Sequence, residues 1–138
     1  MISPTGKGIR GLDEHGYGKW GTPRGKHIHF GADYICEPGQ EIYSPVDGKI
    51  LRIAFPYPSP HQAEGKDILY AGVLIRASYC ELKMFYFEPL KGVLFKDVEM
   101  GQVIGKAQDI GKKYKGITPH IHLEITSINP ELFIRQFI

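Results

Sequence analysis

Two short histidine motifs, set far apart in the sequence, carry residue types that suit metal chemistry. Residues 29–33 read HFGAD and residues 120–122 read HIH. Together the two motifs supply three imidazoles and one carboxylate. Three such groups suffice for a zinc site that keeps one position open, and the fourth group is left over for catalysis. The pair of motifs is therefore the ligand set expected of a metal-dependent hydrolase.

The second motif places two histidines two residues apart. On a strand this spacing sends His120 and His122 to the same face, while Ile121, Leu123 and Ile125 face the opposite side, into a core. The two imidazoles can therefore share one metal ion, or one can bind the metal while the other serves the bound water. Taken alone, the same pair equally fits a solvated strand face.

The first motif places a histidine and a carboxylate four residues apart. Gly31 lies between His29 and Asp33 and permits a bend or a close backbone approach that brings both side chains to one point. Neutral imidazole nitrogen combined with one carboxylate suits zinc. The two motifs complement each other within one small chain, and this makes the metal interpretation stronger than either motif alone.

Length and composition predict a single β-rich domain over residues 1–138. Eight Tyr, seven Phe and 17 Gly favour strands and tight turns over helices. Residues 1–26 are expected to form an irregular arm, and Asn129 and Pro130 are expected to begin a short closing helix over 132–138. The strand patterns predict elements at 40–43, 49–55, 71–77, 81–87, 101–105 and 121–125.

Two loops are expected to form the walls of a groove across this twisted antiparallel sheet, with the metal on the groove floor. One is the proline-broken stretch 56–67 and the other is 109–119, whose basic run 111–116 is interpreted as solvated surface. The remaining histidines are assigned to loops or to the surface near the metal: His15, His61 and His27.

Charge and hydropathy limit the function classes. The formal net charge is +2 with scattered Lys and Arg, which gives no argument for a nucleic-acid partner. No apolar run is long enough to cross a bilayer, and the first 16 residues lack the apolar stretch of a secretory signal. We therefore expect a protein that acts in the cytoplasm or reaches the cell exterior by another route, such as lysis or a virus particle.

The chain contains two cysteines, Cys36 and Cys80. So few cysteines favour two buried free thiols over a single disulfide. Their spacing excludes a CxxC zinc knuckle.

Four ordered motifs resemble those of the lysostaphin-type zinc endopeptidase family. They are HxGxD at 29–33, SPVDGKI at 44–50, GQVIG at 101–105 and PHIHLE at 119–124, and the likeness covers roughly residues 24–126. Residues 9–18, KMFY at 83–86, Pro89 and YxGI at 114–117 followed by HxH at 120–122 carry a closer likeness, extending over nearly the whole chain. These segments resemble the non-peptidase leukocyte cell-derived chemotaxin branch of this fold group. The other cysteines of that branch are absent here, so no disulfide framework is carried over.

The resemblance implies a lysostaphin-like fold and a role for each motif residue. His29, Asp33 and His122 would bind Zn²⁺, and His120 would act as general base. Active members carry a further histidine in a Tyr-x-His-Leu segment, where this chain reads YFEPL at 86–90. Depending on the gap, Tyr86 or Glu88 takes that place; Tyr86 could donate a hydrogen bond to an oxyanion, whereas an anionic Glu88 would repel it.

The alternative for that segment is structural. Met84 and Tyr86 would share one strand face while Phe85 and Phe87 occupy the other, and all four could pack a small β core.

Three functions follow as hypotheses. The chain is a zinc peptidase that cuts peptidoglycan peptides as a phage lysin or tail-associated protein, a catalytically inactive zinc-binding recognition module, or a structural part of an assembly such as a phage tail with protein partners.

Overall fold

A computed structural model describes residues 1–57 and 69–134. Within these ranges the chain forms eleven strands, numbered in chain order, that pair antiparallel in three sheets. A hairpin joins β1 (Pro23–Arg24) and β2 (His27–Ile28). A three-stranded sheet has the order β4 (Glu41–Tyr43), β10 (Val103–Ala107), β8 (Phe87–Pro89). The six-stranded sheet has the order β3 (Ala32–Ile35), β11 (His120–Ile128), β7 (Cys80–Phe85), β6 (Gly72–Arg76), β5 (Gly48–Ala54), β9 (Asp97–Val98).

The hydrophobic core is built from strands of the two larger sheets. Alternating positions along β6 and β7 are buried because successive side chains on a strand point to opposite faces. On β5 the register shifts after Ile50, and the buried residues are Ile50 and Ala54. Burial of each large aliphatic or aromatic side chain contributes about 1.5–3 kcal/mol, so this cluster is the main source of stability. Its largest members include Ile42, Ile50, Ile75, Leu82, Met84, Phe87, Ile104 and Ile121.

The predicted mainly-β fold with antiparallel sheets is confirmed, and five of the six predicted strands begin and end within two residues of the observed ones. Both cysteines are buried free thiols, as predicted. Burial raises the pKa of Cys36 to about 12, which makes its thiol unreactive at neutral pH. The part of the chain that the structure describes contains no helix long and apolar enough to cross a membrane.

One predicted strand, 81–87, is interrupted in the structure. Tyr86 adopts φ = 79°, a left-handed conformation that ends β7 at Phe85 and lets β8 begin at Phe87. Met84 and Phe87 are fully buried in the core, whereas Phe85 and Tyr86 both contact histidines of β11. The expectation that Met84 and Tyr86 share one face was therefore wrong, because it assumed an unbroken strand.

Two further predictions about the C-terminal part need correction. Ile125 is 43% exposed rather than in the core, since the register between β11 and β7 shifts just after it. Asn129 caps and Pro130 starts the next element as expected, but among the described residues that element is a single 3₁₀ turn, Pro130–Leu132, which ends at Phe133 instead of continuing as the expected helix. Residues 135–138 lie outside the described part.

The N-terminal arm covers the open edge of β3. Three backbone hydrogen bonds attach it: Arg10 N–H to the Asp33 carbonyl (2.7 Å), Asp33 N–H to the Gly18 carbonyl (2.8 Å), and Ile35 N–H to the Gly8 carbonyl (2.9 Å). The arm thus satisfies backbone groups that an edge strand would otherwise expose. It also brings its own side chains next to the first histidine motif.

Candidate metal centre

The two histidine motifs meet because β3 and β11 are neighbours in the six-stranded sheet. In the register of this pair, His122 lies directly opposite Asp33. His29 precedes β3 and approaches the same point across Gly31. A Cβ atom on Gly31 would lie 2.5 Å from His122 Cε1 and 2.6 Å from the Leu123 carbonyl oxygen. The close backbone approach predicted at this glycine is therefore present.

Three side chains converge with their ligand atoms almost equidistant. His122 Nδ1 lies 3.0 Å from Asp33 Oδ1, and His29 Nε2 lies 3.2 Å from each of those two atoms. Zinc bonds of about 2.0–2.1 Å in tetrahedral geometry place ligand atoms roughly 3.3 Å apart. The triangle formed by His29, Asp33 and His122 is therefore close to one face of a zinc tetrahedron.

The outer nitrogens of both histidines are bound to acceptors. His29 Nδ1 donates to the Lys19 carbonyl (3.1 Å), and His122 Nε2 donates to Glu124 Oε1 (3.2 Å). Such outer partners fix the tautomer and ring orientation of metal-binding histidines. The inner nitrogens, His29 Nε2 and His122 Nδ1, both face the Asp33 carboxylate. This donor set requires a cation or a proton at its centre.

In the absence of a metal, a proton fills that role. Burial alone would lower the pKa of His122, but hydrogen bonds to Asp33 and Glu124 raise it to about 9. Burial would likewise raise the pKa of Asp33, yet hydrogen bonds from His122 and His29 hold it well below its usual range. The site therefore holds its carboxylate ionised over the physiological pH range.

The second oxygen of Asp33 is engaged by the N-terminal arm. Arg10 Nη2 donates to Asp33 Oδ2 at 3.0 Å, and both side chains are almost completely buried. Because this oxygen faces Arg10, only Oδ1 points to the two histidines. The carboxylate is thereby oriented to offer one oxygen to a metal.

His120 lies beside the triangle rather than in it. Its Nδ1 donates to the Thr118 carbonyl (2.8 Å), and its Nε2 lies 3.5 Å from Asp33 Oδ2. Burial lowers the pKa of His120 despite the opposing charge of Asp33, so the ring is neutral near pH 7. A neutral imidazole with one fixed tautomer has the form that a general base requires, which is the role expected from the sequence.

Tyr86, and not Glu88, lies beside His120. Tyr86 presents its ring to His120 edge to face, whereas Glu88 lies on β8 opposite Lys106 and lines a separate cavity. The Tyr86 hydroxyl is hydrogen bonded to that of Tyr57 at 3.0 Å. Burial raises the pKa of Tyr86, so the phenol remains neutral.

A cleft of about 620 Å³ opens over these residues. Tyr114 and Ile117 of the predicted 109–119 wall line it, as does Tyr57, whose hydroxyl is bonded to that of Tyr114. The remainder of the other predicted wall, 58–67, lies outside the described residues, and so does His61. His15 and His27 line the cleft without joining the ligand triangle.

Sequence reasoning missed the residues that orient the site. Arg10, Lys19 and Thr118 each bind a motif residue, two of them only through a backbone carbonyl. A carbonyl partner leaves no signal in side-chain types. Arg10 lies in an N-terminal arm rich in glycine and charged residues, where no local pattern distinguishes it. Its contact with Asp33 is visible only in the three-dimensional structure.

Comparison with known proteins agrees with this architecture. The structure resembles the catalytic domain of the antimicrobial peptidase lysostaphin from Staphylococcus simulans, with 20% identity, a TM-score of 0.55, and coverage of 86% of this chain and 89% of that one. It also resembles a zinc-containing peptidase from Vibrio cholerae, with 20% identity, a TM-score of 0.57, and coverage of 92% of this chain and 36% of that one. These likenesses define a protein with the lysostaphin-like peptidase fold, as predicted from the sequence.

Sequence similarity identifies the particular family. Leukocyte cell-derived chemotaxin-2 of Bos taurus is 34% identical over 117 residues, which span 84% of this chain and 72% of that protein. The chain belongs to the leukocyte cell-derived chemotaxin-2 family. No protein-family model matches the chain.

Proposed function

We propose that this protein is a zinc-binding recognition module that holds Zn²⁺ through His29, Asp33 and His122 and binds peptides in the cleft above it. The observation that carries the proposal is the position of Tyr86. A neutral phenol stands beside His120, where the resemblance to lysostaphin-type enzymes calls for a second catalytic histidine. The module would thus keep the three zinc ligands but lack the second catalytic histidine.

The donor set supports zinc in particular. Two imidazole nitrogens and one carboxylate oxygen, spaced 3.0–3.2 Å apart, match the ligand types and geometry of a three-ligand zinc site. When bound there, zinc would act as a Lewis acid toward an oxygen of the bound peptide. His29 and His122 need no rearrangement, because Lys19 and Glu124 already hold their outer nitrogens.

The cleft supports a peptide as the ligand. Its lining combines groups that bind backbone amides with apolar surface for side chains, which is typical of peptide-binding sites. Tyr114 and Glu124 offer hydrogen-bonding groups, whereas Ile28 and the 60% exposed Phe30 offer apolar contact. A segment of peptidoglycan stem peptide is the first candidate ligand, in keeping with the lysostaphin-like fold.

Hydrolysis of peptidoglycan peptides is the second candidate function, and His120 favours it. Its neutral ring could accept a proton from an attacking water molecule and pass it to the departing amine. Tyr86 could donate a hydrogen bond to the developing oxyanion. For this candidate we propose a phage lysin or tail-associated protein that reaches the cell wall after release; a tail protein acting only as scaffold is the corresponding non-catalytic role.

Metal analysis of the purified protein, combined with binding and cleavage assays, tests both candidates. We expect one zinc per chain by mass spectrometry, binding of peptidoglycan peptides that is lost on chelation, and no cleavage products. Zinc-dependent cleavage would overturn the recognition proposal in favour of hydrolysis. Absence of zinc after incubation with excess metal would overturn both.

A further inference from the structure

The N-terminal arm contributes a buried ion pair to the candidate metal centre. Arg10 Nη1 lies 2.8 Å from Asp13 Oδ2, and Arg10 Nη2 lies 3.0 Å from Asp33 Oδ2. The three side chains are between 2% and 9% exposed. Arg10 Nη1 also donates to the Gly16 carbonyl at 2.7 Å, whereas Arg10 Nε is buried with no hydrogen-bond partner among the described residues. Burying a guanidinium is costly, and here its two terminal nitrogens bind both carboxylates and a carbonyl of the arm.

The pair also reaches the second histidine motif. Asp13 Oδ2 accepts a hydrogen bond from the Thr118 backbone N–H at 2.9 Å. The Thr118 carbonyl in turn accepts from His120 Nδ1 at 2.8 Å, and His120 Nε2 lies 3.5 Å from Asp33 Oδ2. The contacts therefore close a ring that runs from Asp33 through Arg10, Asp13, Thr118 and His120 back to Asp33.

We propose that Arg10 and Asp13 are positioning residues that orient Asp33 and His120 together. Arg10 holds one carboxylate oxygen, so that the other faces the ligand histidines. Asp13 holds the Thr118 peptide, so that its carbonyl fixes the tautomer of His120. This inference rests on the proposed zinc site for its first half, whereas the His120 half is independent of any metal.

The backbone of the arm is built to allow this contact. A Cβ atom on Gly18 would lie 2.7 Å from Arg10 Cβ and 2.9 Å from Asp33 Cβ. Only a residue without a side chain lets the arm approach β3 so closely. The positioning role therefore involves the conformation of the arm as well as its charged groups.

Zinc affinity measured by competition with a chromophoric chelator tests the Asp33 half. Outer partners of metal ligands typically contribute about 10–100-fold to metal affinity, and we expect a loss of that size for Arg10→Met. The matched control is Arg76→Met, which breaks the exposed Arg76–Glu81 pair on β6 and β7 and leaves the affinity unchanged. Unchanged or tighter binding by Arg10→Met would overturn positioning, because it would mean that Arg10 only neutralises Asp33.

The Nδ1–H proton signal of His120 in NMR tests the other half. In the wild type the bond to Thr118 protects this proton from exchange with water, and we expect Asp13→Ala to broaden or abolish its signal. Arg10→Lys keeps a charge near Asp33 but has a single nitrogen, which cannot bind Asp13 and Asp33 as the guanidinium does. We therefore expect it to lose the His120 Nδ1–H signal as Asp13→Ala does, and it replaces Arg10→Met if that variant does not fold. A signal unchanged in both variants would overturn the inference.

The two proposals fail in distinguishable ways. A wild-type protein that binds no zinc contradicts the proposed function, and the His120 signal then decides the inference alone. A wild type that binds zinc, with Arg10 and Asp13 variants that match it in both readouts, contradicts the inference and leaves the proposed function intact.

Discussion

Tyr86 meets His120 edge to face, with ring centroids 5.5 Å apart and planes at 89°. The contact depends on the left-handed backbone of Tyr86, which is uncommon for a residue other than glycine. Because the chain turns at this residue, Phe85 and Tyr86 both face β11, and Phe85 stacks on His122. A phenol that burial keeps neutral thus lies next to the candidate base.

Removal of the Tyr86 hydroxyl is expected to affect stability and not the metal. Tyr86→Phe loses the hydrogen bond to Tyr57, so we expect the free energy of unfolding to fall by about 0.5–1.5 kcal/mol with unchanged zinc affinity. Urea denaturation and chelator competition measure the two quantities. The control is Tyr79→Phe, at a half-buried tyrosine in a different cavity, expected within about 0.5 kcal/mol of wild type. Loss of zinc from Tyr86→Phe would instead assign the hydroxyl to the metal site.

The two histidines of β11 are expected to respond differently to substitution. His122→Ala removes one corner of the ligand triangle and should reduce zinc affinity by at least about 100-fold, since three protein ligands are the usual minimum. His120→Ala should retain one zinc per chain. If the protein cleaves peptides, the same variant should lose about 100-fold or more of that activity.

Zinc content after gel filtration and product analysis by mass spectrometry separate these effects. The two variants serve as controls for each other, because His120 and His122 lie two residues apart on the same face of β11 and undergo the same substitution. Loss of zinc from His120→Ala together with retention by His122→Ala would reverse the assignment of the ligands.

Gly31 is expected to tolerate no side chain. Its Cβ would lie 2.5 Å from His122 Cε1, so Gly31→Ala must push the ring or the β11 backbone away from Asp33. We expect zinc affinity to fall by at least about 10-fold, because ligand atoms must stay near their tetrahedral spacing. Gly11→Ala is the matched control, since a Cβ there meets nothing within 4 Å. Equal zinc affinity in both variants would contradict the close approach.

The meeting of the two histidine motifs could be predicted from sequence because it follows local rules. The i, i+2 spacing of His120 and His122 fixes their common strand face, and Gly31 signals a close approach within the first motif. Neither rule depends on distant parts of the chain. The resemblance to lysostaphin-type enzymes added the order of the motifs and the distinction between ligand and base.

The remaining features depend on tertiary contacts or on exceptional backbone. Strand alternation cannot predict the left-handed conformation of Tyr86, so its face was assigned wrongly. The Arg10 side chain meets Asp33 across 23 residues of sequence, and nothing local indicates that pairing. Capping signals at Asn129 were correct, yet they do not determine whether a helix continues beyond its first turn.

The pH dependence of stability follows from the ion pair at the centre of the metal-free site. The pKa of His122 rises from 6.5 to about 9, so its contribution is fully present below pH 6.5 and is lost as pH rises to about 9. The pKa of Asp33 lies below its usual 3.8, so its contribution is present above pH 3.8 and is lost in more acidic solution. Together they stabilise the metal-free fold most between pH 3.8 and 6.5.

We therefore expect the free energy of unfolding in chelator to decline between pH 6.5 and 9, and zinc affinity to rise over the same interval as the His122 proton is released more easily. Urea denaturation at several pH values, with chelator and with zinc, measures both trends. His122→Gln should remove the decline in chelator, whereas His27→Gln, at an exposed histidine of the cleft wall, should preserve it. A flat stability profile from pH 6.5 to 9 in metal-free wild type would show that His122 holds no extra proton at this site.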